Sequence, residues 1–241
     1  LLFFFQDRLF KPAVNPKSVA VLPFDNYSPN PDDKYLSAGF TEVIIANLAK
    51  INDLMVISRT SVMRYKDKDM NLKEIAEELG VANILEGSIQ RTGSKIRVVA
   101  QLIEAETDQH LWAETYDEEF EDIFSIQTSI AKEIASALKS QITESEKSVI
   151  EEKITDNIEA YEMYLKVKEL RRKPHHYNDY QIRINLINKI IDIDPGFAEA
   201  YAFLCIEYSE NVHFGIDNSQ KKINLAKENI EKALRLKPES T

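Results

Sequence analysis

Apolar and polar positions alternate with two different periods over the first 145 residues of this chain, and with one period over the rest. Ser18-Val19-Ala20-Val21-Leu22-Pro23 is a short apolar run stopped by a proline, the mark of a buried strand. A loop from Asp25 to Asp33 follows, rich in Pro and Asn. From about Lys34 to Lys50, Leu36, Phe40, Val43, Ile44, Asn47 and Leu48 recur at three and four residues, which predicts a helix. Asp32 and Asp33 sit where negative charge favours a helix start. Leu54–Ser58 reads as a second short strand. Residues 71–79 form a short helix with Leu72, Ile75, Ala76 and Leu79 on one face, and Gly80 ends it.

Residues 82–90 and 95–104 flank the turn Arg91-Thr92-Gly93-Ser94, and Ile96, Val98, Ala100 and Leu102 alternate as a hairpin strand does. Residues 109–116 supply a third strand with Leu111, Trp112 and Tyr116. A long amphipathic helix is predicted from Ile123 to Ile142, with Ile126, Ile130, Ile134, Ala137 and Leu138 inward. The order β-α-β-α-β-β-β-α implies an α/β (α+β) domain whose mixed sheet carries packed helices.

Beyond the charged stretch Glu144–Lys153 the chain has no strand signal, and its pattern repeats. Ala198, Tyr201, Leu204, Cys205 and Tyr208 share one helix, and Ala226, Ile230, Ala233, Leu234, Leu236 and Pro238 belong to the next. This matches the helix–turn–helix pattern of a tetratricopeptide repeat. An earlier copy runs from about Glu159 to Pro195. The two prolines, Pro195 and Pro238, are spaced more widely than the roughly 34-residue unit, so residues 209–219 read as an inserted loop. The expected organisation is a leader or membrane-proximal segment at 1–16, an α/β domain at 17–145, a linker at 146–154 and an all-α, tetratricopeptide-type repeat region at 155–241. Such arrays need about three units to bury their faces, so further repeats are expected.

Charge narrows the functional classes. The net charge is -10, and residues 1–145 carry 15 Lys and Arg against 23 Asp and Glu, whereas residues 146–241 carry 15 against 17. A phosphate backbone is repelled by such a surface, which argues against nucleic-acid binding. With one cysteine, Cys205, the chain has no internal disulfide framework. The apolar run Leu1-Leu2-Phe3-Phe4-Phe5 reads either as a strand edge or as the trailing end of a membrane helix. Under the second reading the segment lies on the periplasmic face of the cytoplasmic membrane, and otherwise in the cytoplasm.

Several motifs, in order, resemble the TolB/FlgO-like amino-terminal domain. They are Lys17-Ser18-Val19-Ala20-Val21-Leu22-Pro23-Phe24 with Asn26 and Ser28, Gly39-Phe40-Thr41-Glu42, Ile57-Ser58-Arg59-Thr60-Ser61, Leu79-Gly80-Val81, Leu85-Glu86-Gly87-Ser88, Ala100-Gln101-Leu102-Ile103, His110-Leu111-Trp112-Ala113-Glu114-Thr115-Tyr116 and Asp122-Ile123-Phe124. The resemblance implies a sensory or docking segment of a bacterial signalling protein. In such proteins this domain, with repeats after it, follows a winged-helix DNA-binding domain or a class III adenylate cyclase domain, often with a membrane helix between. Neither effector is in this sequence.

Candidate chemistry is sparse. Asp25, Asn26 and Ser28 follow the first strand and precede a helix, where open α/β sheets bind ligands; the alternative is that Asn26 and Ser28 only hydrogen-bond the turn. No glycine-rich phosphate loop occurs. His175 and His176 are adjacent, so they project apart and make a poor metal pair. Cys205 fits a small packing position. Trp112 reads as core, and the acidic run from Glu114 to Asp122 reads either as a lure for a basic partner or as a solvated strand end. Glu199, Ala202, Ile206 and Ser209 would line the groove of the second repeat. The sequence offers no catalytic, cofactor or metal set, and the expected role is docking of a protein partner through the helical repeats; the alternative is a small-molecule sensor. Oligomeric state is not legible.

Overall fold

The computed structural model describes residues 14–66, 68, 70–172 and 177–238. The chain divides into two compact units, Leu1–Glu151 and Glu152–Thr241. The expectations for Leu1–Phe5 and for the His175–His176 pair fall outside the described residues.

In the first unit the strand β1 (Ser18–Val21) pairs in parallel with β3 (Met55–Val56) on one side and β4 (Asn83–Thr92) on the other. A short strand β2 (Asp25–Asn26) continues along β4, also in parallel. Val21 faces Leu85 and Asp25 faces Ser88, so the first strand spends one more residue than β4 between these pairs. The extra residue falls at Leu22-Pro23-Phe24, because proline has no N–H for the ladder. The expected strand 18–23 therefore ends at Val21, and the loop expected from Asp25 opens instead with the short strand β2 beyond the break at Pro23.

Antiparallel β5 (Lys95–Glu104) and β6 (Gln109–Glu119) complete a mixed sheet in the order β3-β1-β4-β5-β6. Thr92 pairs with Lys95, leaving Gly93-Ser94 as a two-residue turn in which Gly93 has φ of 63°. Positive φ at the first centre suits glycine in this turn class. Between β5 and β6 the register slips at Leu102/Ile103 and leaves Leu111 as an extra, unpaired residue.

Helices α1 (Lys34–Ala49) and α4 (Ile123–Ala137) pack on one another and on the face carrying Leu85, Ile89, Ile96, Val98, Ala100 and Leu102, all buried. Leu36, Phe40, Ile44 and Leu48 supply the α1 side of this core, and Ile123, Ile126, Ile130 and Ile134 the α4 side. Helix α4 ends five residues before the expected Ile142. Lys139 takes φ of 51°, and Ser140 N–H turns back to the Ala135 carbonyl at 2.8 Å, closing the helix. A short α2 (Arg59–Val62), not anticipated from the pattern, leads towards α3 (Leu72–Leu79). Asn71 caps α3 through the Glu74 N–H at 2.9 Å, and Gly80 ends it with φ of 69°, as its sequence implied.

Residues 144–151, within the stretch expected to bridge the domains, form helix α5. Its start is a capping box. Glu146 accepts from Thr143 N–H at 2.8 Å, and the Thr143 hydroxyl accepts from Glu146 N–H at 3.3 Å. The other Glu146 oxygen accepts from Asn52 N–H at 2.8 Å and Asn52 Nδ2 at 2.9 Å, pinning α5 beyond the end of α1.

The second unit is wholly helical among its described residues: α6 (Ile158–Arg172), α7 (Tyr177–Ile193), α8 (Ala198–His213) and α9 (Gln220–Leu236), each packed on the next. Val167, Ile187, Ile190, Phe197, Ala200 and Leu204 lie in their common core. The inserted loop expected at 209–219 is shorter, since α8 continues to His213. Buried Tyr208 and Asn211 keep this last turn against the core.

Candidate functional site

The end of the first strand places the three residues singled out there in different roles. Asn26 Oδ1 accepts from the Ser28 hydroxyl at 2.7 Å and from Ser28 N–H at 3.2 Å, closing a local turn. Ser28 Oγ accepts from Arg91 N–H at 3.0 Å, so this turn fastens β2 to the far end of β4. Asp25 points elsewhere. It lines a shallow groove of about 310 Å³ on the open face of the sheet, with Tyr65, Lys66, Glu86, Ser88 and Gln101. The structure thus separates Asp25 from the Asn26–Ser28 pair.

Sequence reasoning missed the rest of the groove because its walls come from distant segments. Glu86 and Gln101 face each other across β4 and β5, and Gln101 Nε2 donates to Glu86 at 2.6 Å. Tyr65, buried at the end of a helical turn, donates to Glu78 at 2.7 Å and accepts from Arg64 at 2.5 Å. Its hydroxyl is pushed above the usual range by burial first and by Glu78 second. Among the described residues, Lys66 beside the carboxylates of Asp25 and Glu86 and the Gln101 amide suits polar recognition. The described residues show no nucleophile held against a base here, and no group of three or more His, Cys, Asp or Glu poised for a metal.

Strand β6 departs most from expectation. It runs to Glu119 rather than 116, so the acidic run begins inside a strand. Trp112, expected in the core, is half-buried: it sits under α4 with its indole N–H donating to Glu133 at 2.6 Å. Tyr116 follows on the same side with its hydroxyl buried and unpartnered, and burial, then Glu133 and Glu114, push it up to about 12. An edge strand has a neighbour on one side only, which is why its aromatic residues stop short of full burial. On the opposite face Asp117 is held below its ordinary range by Arg97, which contacts it at 2.6 and 3.0 Å.

In the helical unit Glu199, Ala202, Ile206 and Ser209 fall together on the less buried face of α8, opposite Ala200, Leu204, Glu207 and Asn211. Glu199 pairs with Lys237 at 3.5 Å. Inside this unit lies a polar network with no signature in the sequence. Glu207 is 0% exposed and Arg183 3%, and they form two parallel bonds of 2.9 and 2.8 Å. Arg171 adds a contact to Glu207 and one of 2.7 Å to Glu210. Cys205 is half-buried and approaches the Ser209 hydroxyl at 4.0 Å. His110 and His213 are exposed.

Residues 15–133 match the family model of the HilA/YgeH-like transcriptional regulators, second domain. Over 189 residues the chain is 38% identical to "Putative adenylate cyclase 3" of Rhizobium meliloti (strain 1021), spanning 78% of this chain and 32% of that protein. The chain therefore spans about a third of the relative's length. Among solved structures, lipoprotein GNA1162 from Neisseria meningitidis aligns with a TM-score of 0.38 at 16% identity, over 43% of this chain and 81% of its own. TolB from Acinetobacter baumannii also scores 0.38 at 16% identity, over 50% and 28%. By sequence, then, the chain carries a regulator-like domain similar to parts of signalling proteins. Among the described residues no helix is long and apolar enough to cross a membrane.

Proposed function

We propose that this chain is a non-catalytic regulatory segment of a bacterial signalling protein. It docks a protein partner through tetratricopeptide-type repeats that follow a TolB-like α/β domain, and it stands on the periplasmic face of the cytoplasmic membrane. The observation that carries the docking role is a set of apolar side chains left exposed on the last two helices of the helical unit: Ile206 on α8, with Ile230 and Leu234 on α9. Exposed apolar groups on consecutive helices are the usual means by which helical arrays hold a protein segment. The relationship to a regulator domain and to a longer cyclase-like protein supports a signalling context, in which any effector lies outside this sequence.

The test is capture of a saturable partner by the full chain from detergent-solubilised membranes, compared with the variant Ile206→Glu combined with Ile230→Glu. Loss of that partner in the folded variant is expected; undiminished capture rejects docking through the helices. A second reading, a small-molecule sensor, is favoured by the groove lined by Asp25, Lys66 and Glu86. A metabolite that raises the melting temperature of the wild type and not of Asp25→Ala would establish it, and a flat screen would remove it.

A further inference from the structure

Strand β6 ends the sheet on its long side, with eight regularly paired residues, Trp112 to Glu119, beyond the bulge at Leu111. Phe120 N–H donates to the Ser94 carbonyl at 2.6 Å, which makes Ser94 and Phe120 a hydrogen-bonded pair. Antiparallel pairs alternate, so Glu118, Tyr116 and Glu114 also bond to β5, and Glu119, Asp117, Thr115 and Ala113 turn their backbone groups outward. Thr115 confirms this: its N–H donates to the Glu114 carboxylate at 3.3 Å rather than to a carbonyl of β5. An outward N–H satisfied only by a surface side chain is open to exchange for the carbonyl of another strand.

The geometry points to β6 as a docking edge for an extended, basic segment of a protein partner, which adds to the sheet as a further strand. The chemistry of the edge selects that occupant. Trp112, Glu114, Tyr116 and Glu118 share one face, opposite Leu102, Ala100, Val98 and Ile96. Lysine or arginine at alternate positions of the incoming strand meets two carboxylates and two aromatic rings there. A second copy of this chain is a poor fit, because β6 carries Glu114, Asp117, Glu118 and Glu119 and no lysine or arginine, so pairing it with itself brings two acidic strands together. Natural edges are guarded by charged side chains and bulges, and the charged guards of β6 are all carboxylates, which repel an acidic strand and not a basic one. This surface lies outside residues 155–241, so its fate is independent of docking by the helices.

The experiment uses the full chain and two synthetic nine-residue peptides, one alternating Thr with Lys and one alternating Thr with Glu. Trp112 is the sole tryptophan and reports binding by fluorescence, while residue-resolved amide exchange reports strand addition. The Lys peptide is expected to bind saturably and to slow exchange at Ala113, Thr115, Asp117 and Glu119. Glu114→Lys with Glu118→Lys should weaken it about tenfold, by replacing two cross-strand attractions with repulsions, and should gain the Glu peptide. Thr115→Pro, which removes an outward donor, should abolish the exchange protection. Equal binding of both peptides, or binding without protection of those four amides, overturns the proposal. So does a concentration-dependent dimer that protects β6 without peptide. If the charge-reversed chain fails to fold, the wild-type exchange pattern with the two peptides still decides.

Discussion

The backbone N–H of Phe24 donates to the Thr41 hydroxyl at 3.0 Å, and that hydroxyl donates to the Ser37 carbonyl at 2.8 Å. Pro23 interrupts the pairing of the first strand with β4 and leaves the next N–H buried without a ladder partner. Thr41, projecting from α1, supplies one, so the strand break and the helix are coupled. A buried donor left unmade costs about 1–3 kcal/mol. Thr41→Val, nearly the same in shape, is expected to lower stability by about that amount in urea unfolding, and Thr41→Ser to retain most of it.

Gly87 lies opposite Ala100 on the core face of β4. A Cβ there would stand 2.2 Å from the Val99 carbonyl oxygen and 2.6 Å from the Phe24 ring, which packs against Phe40 at 5.2 Å. Both neighbours are confined, one by the sheet and the other by α1. Gly87→Ala is expected to cost at least the roughly 1–3 kcal/mol of an overpacked core, seen as a lower urea midpoint with unchanged slope.

Glu207 is held by Arg183, buried with it inside the helical unit, and by Arg171, which is only half-buried. Removing one member of a buried pair leaves an uncompensated charge, at a cost of about 3–5 kcal/mol. Glu207→Gln should therefore lower stability by that much. The double change Arg183→Met with Glu207→Leu should lose far less, since it removes the buried pair together and leaves Arg171 with Glu210. Circular dichroism melts of both variants check the contrast.

Glu146 accepts four hydrogen bonds, from Asn52 and Thr143, and these donors, the Asn52 N–H first, lower its carboxyl to about 2. A carboxyl lowered on folding stabilises fully above its ordinary value of 4.5, and that contribution fades as pH falls from there through about 2. Glu146→Gln should flatten the acid limb of the stability curve between those two values. An acid titration of the wild type and variant, followed by amide exchange in α5, measures it.

Legibility followed range along the chain. Asn71 and Gly80 mark the ends of α3 because capping is a contact between residues a few positions apart. The Gly93-Ser94 turn and the alternation of β5 are legible for the same reason. The capping box at Thr143 and Glu146 is also written locally, yet the surrounding charge makes the stretch read as a linker. Reading β6 to its end failed because its acidic residues look like the solvated end of a strand that has already stopped. Their strand state depends on pairing with Lys95 and Arg97 of β5. The groove beside Asp25 was only partly legible, since Tyr65, Glu86 and Gln101 meet there through folding alone.

Local periodicity and capping in the sequence were enough to determine an α/β unit followed by helices in tandem, because the residues that set a helix or hairpin lie within a turn of one another. Which strand is left at the edge, which carboxylate is buried among arginines and which of three neighbouring polar residues faces a groove were decided only by tertiary structure. Those outcomes depend on contacts between segments tens of residues apart, and no local pattern encodes the partner.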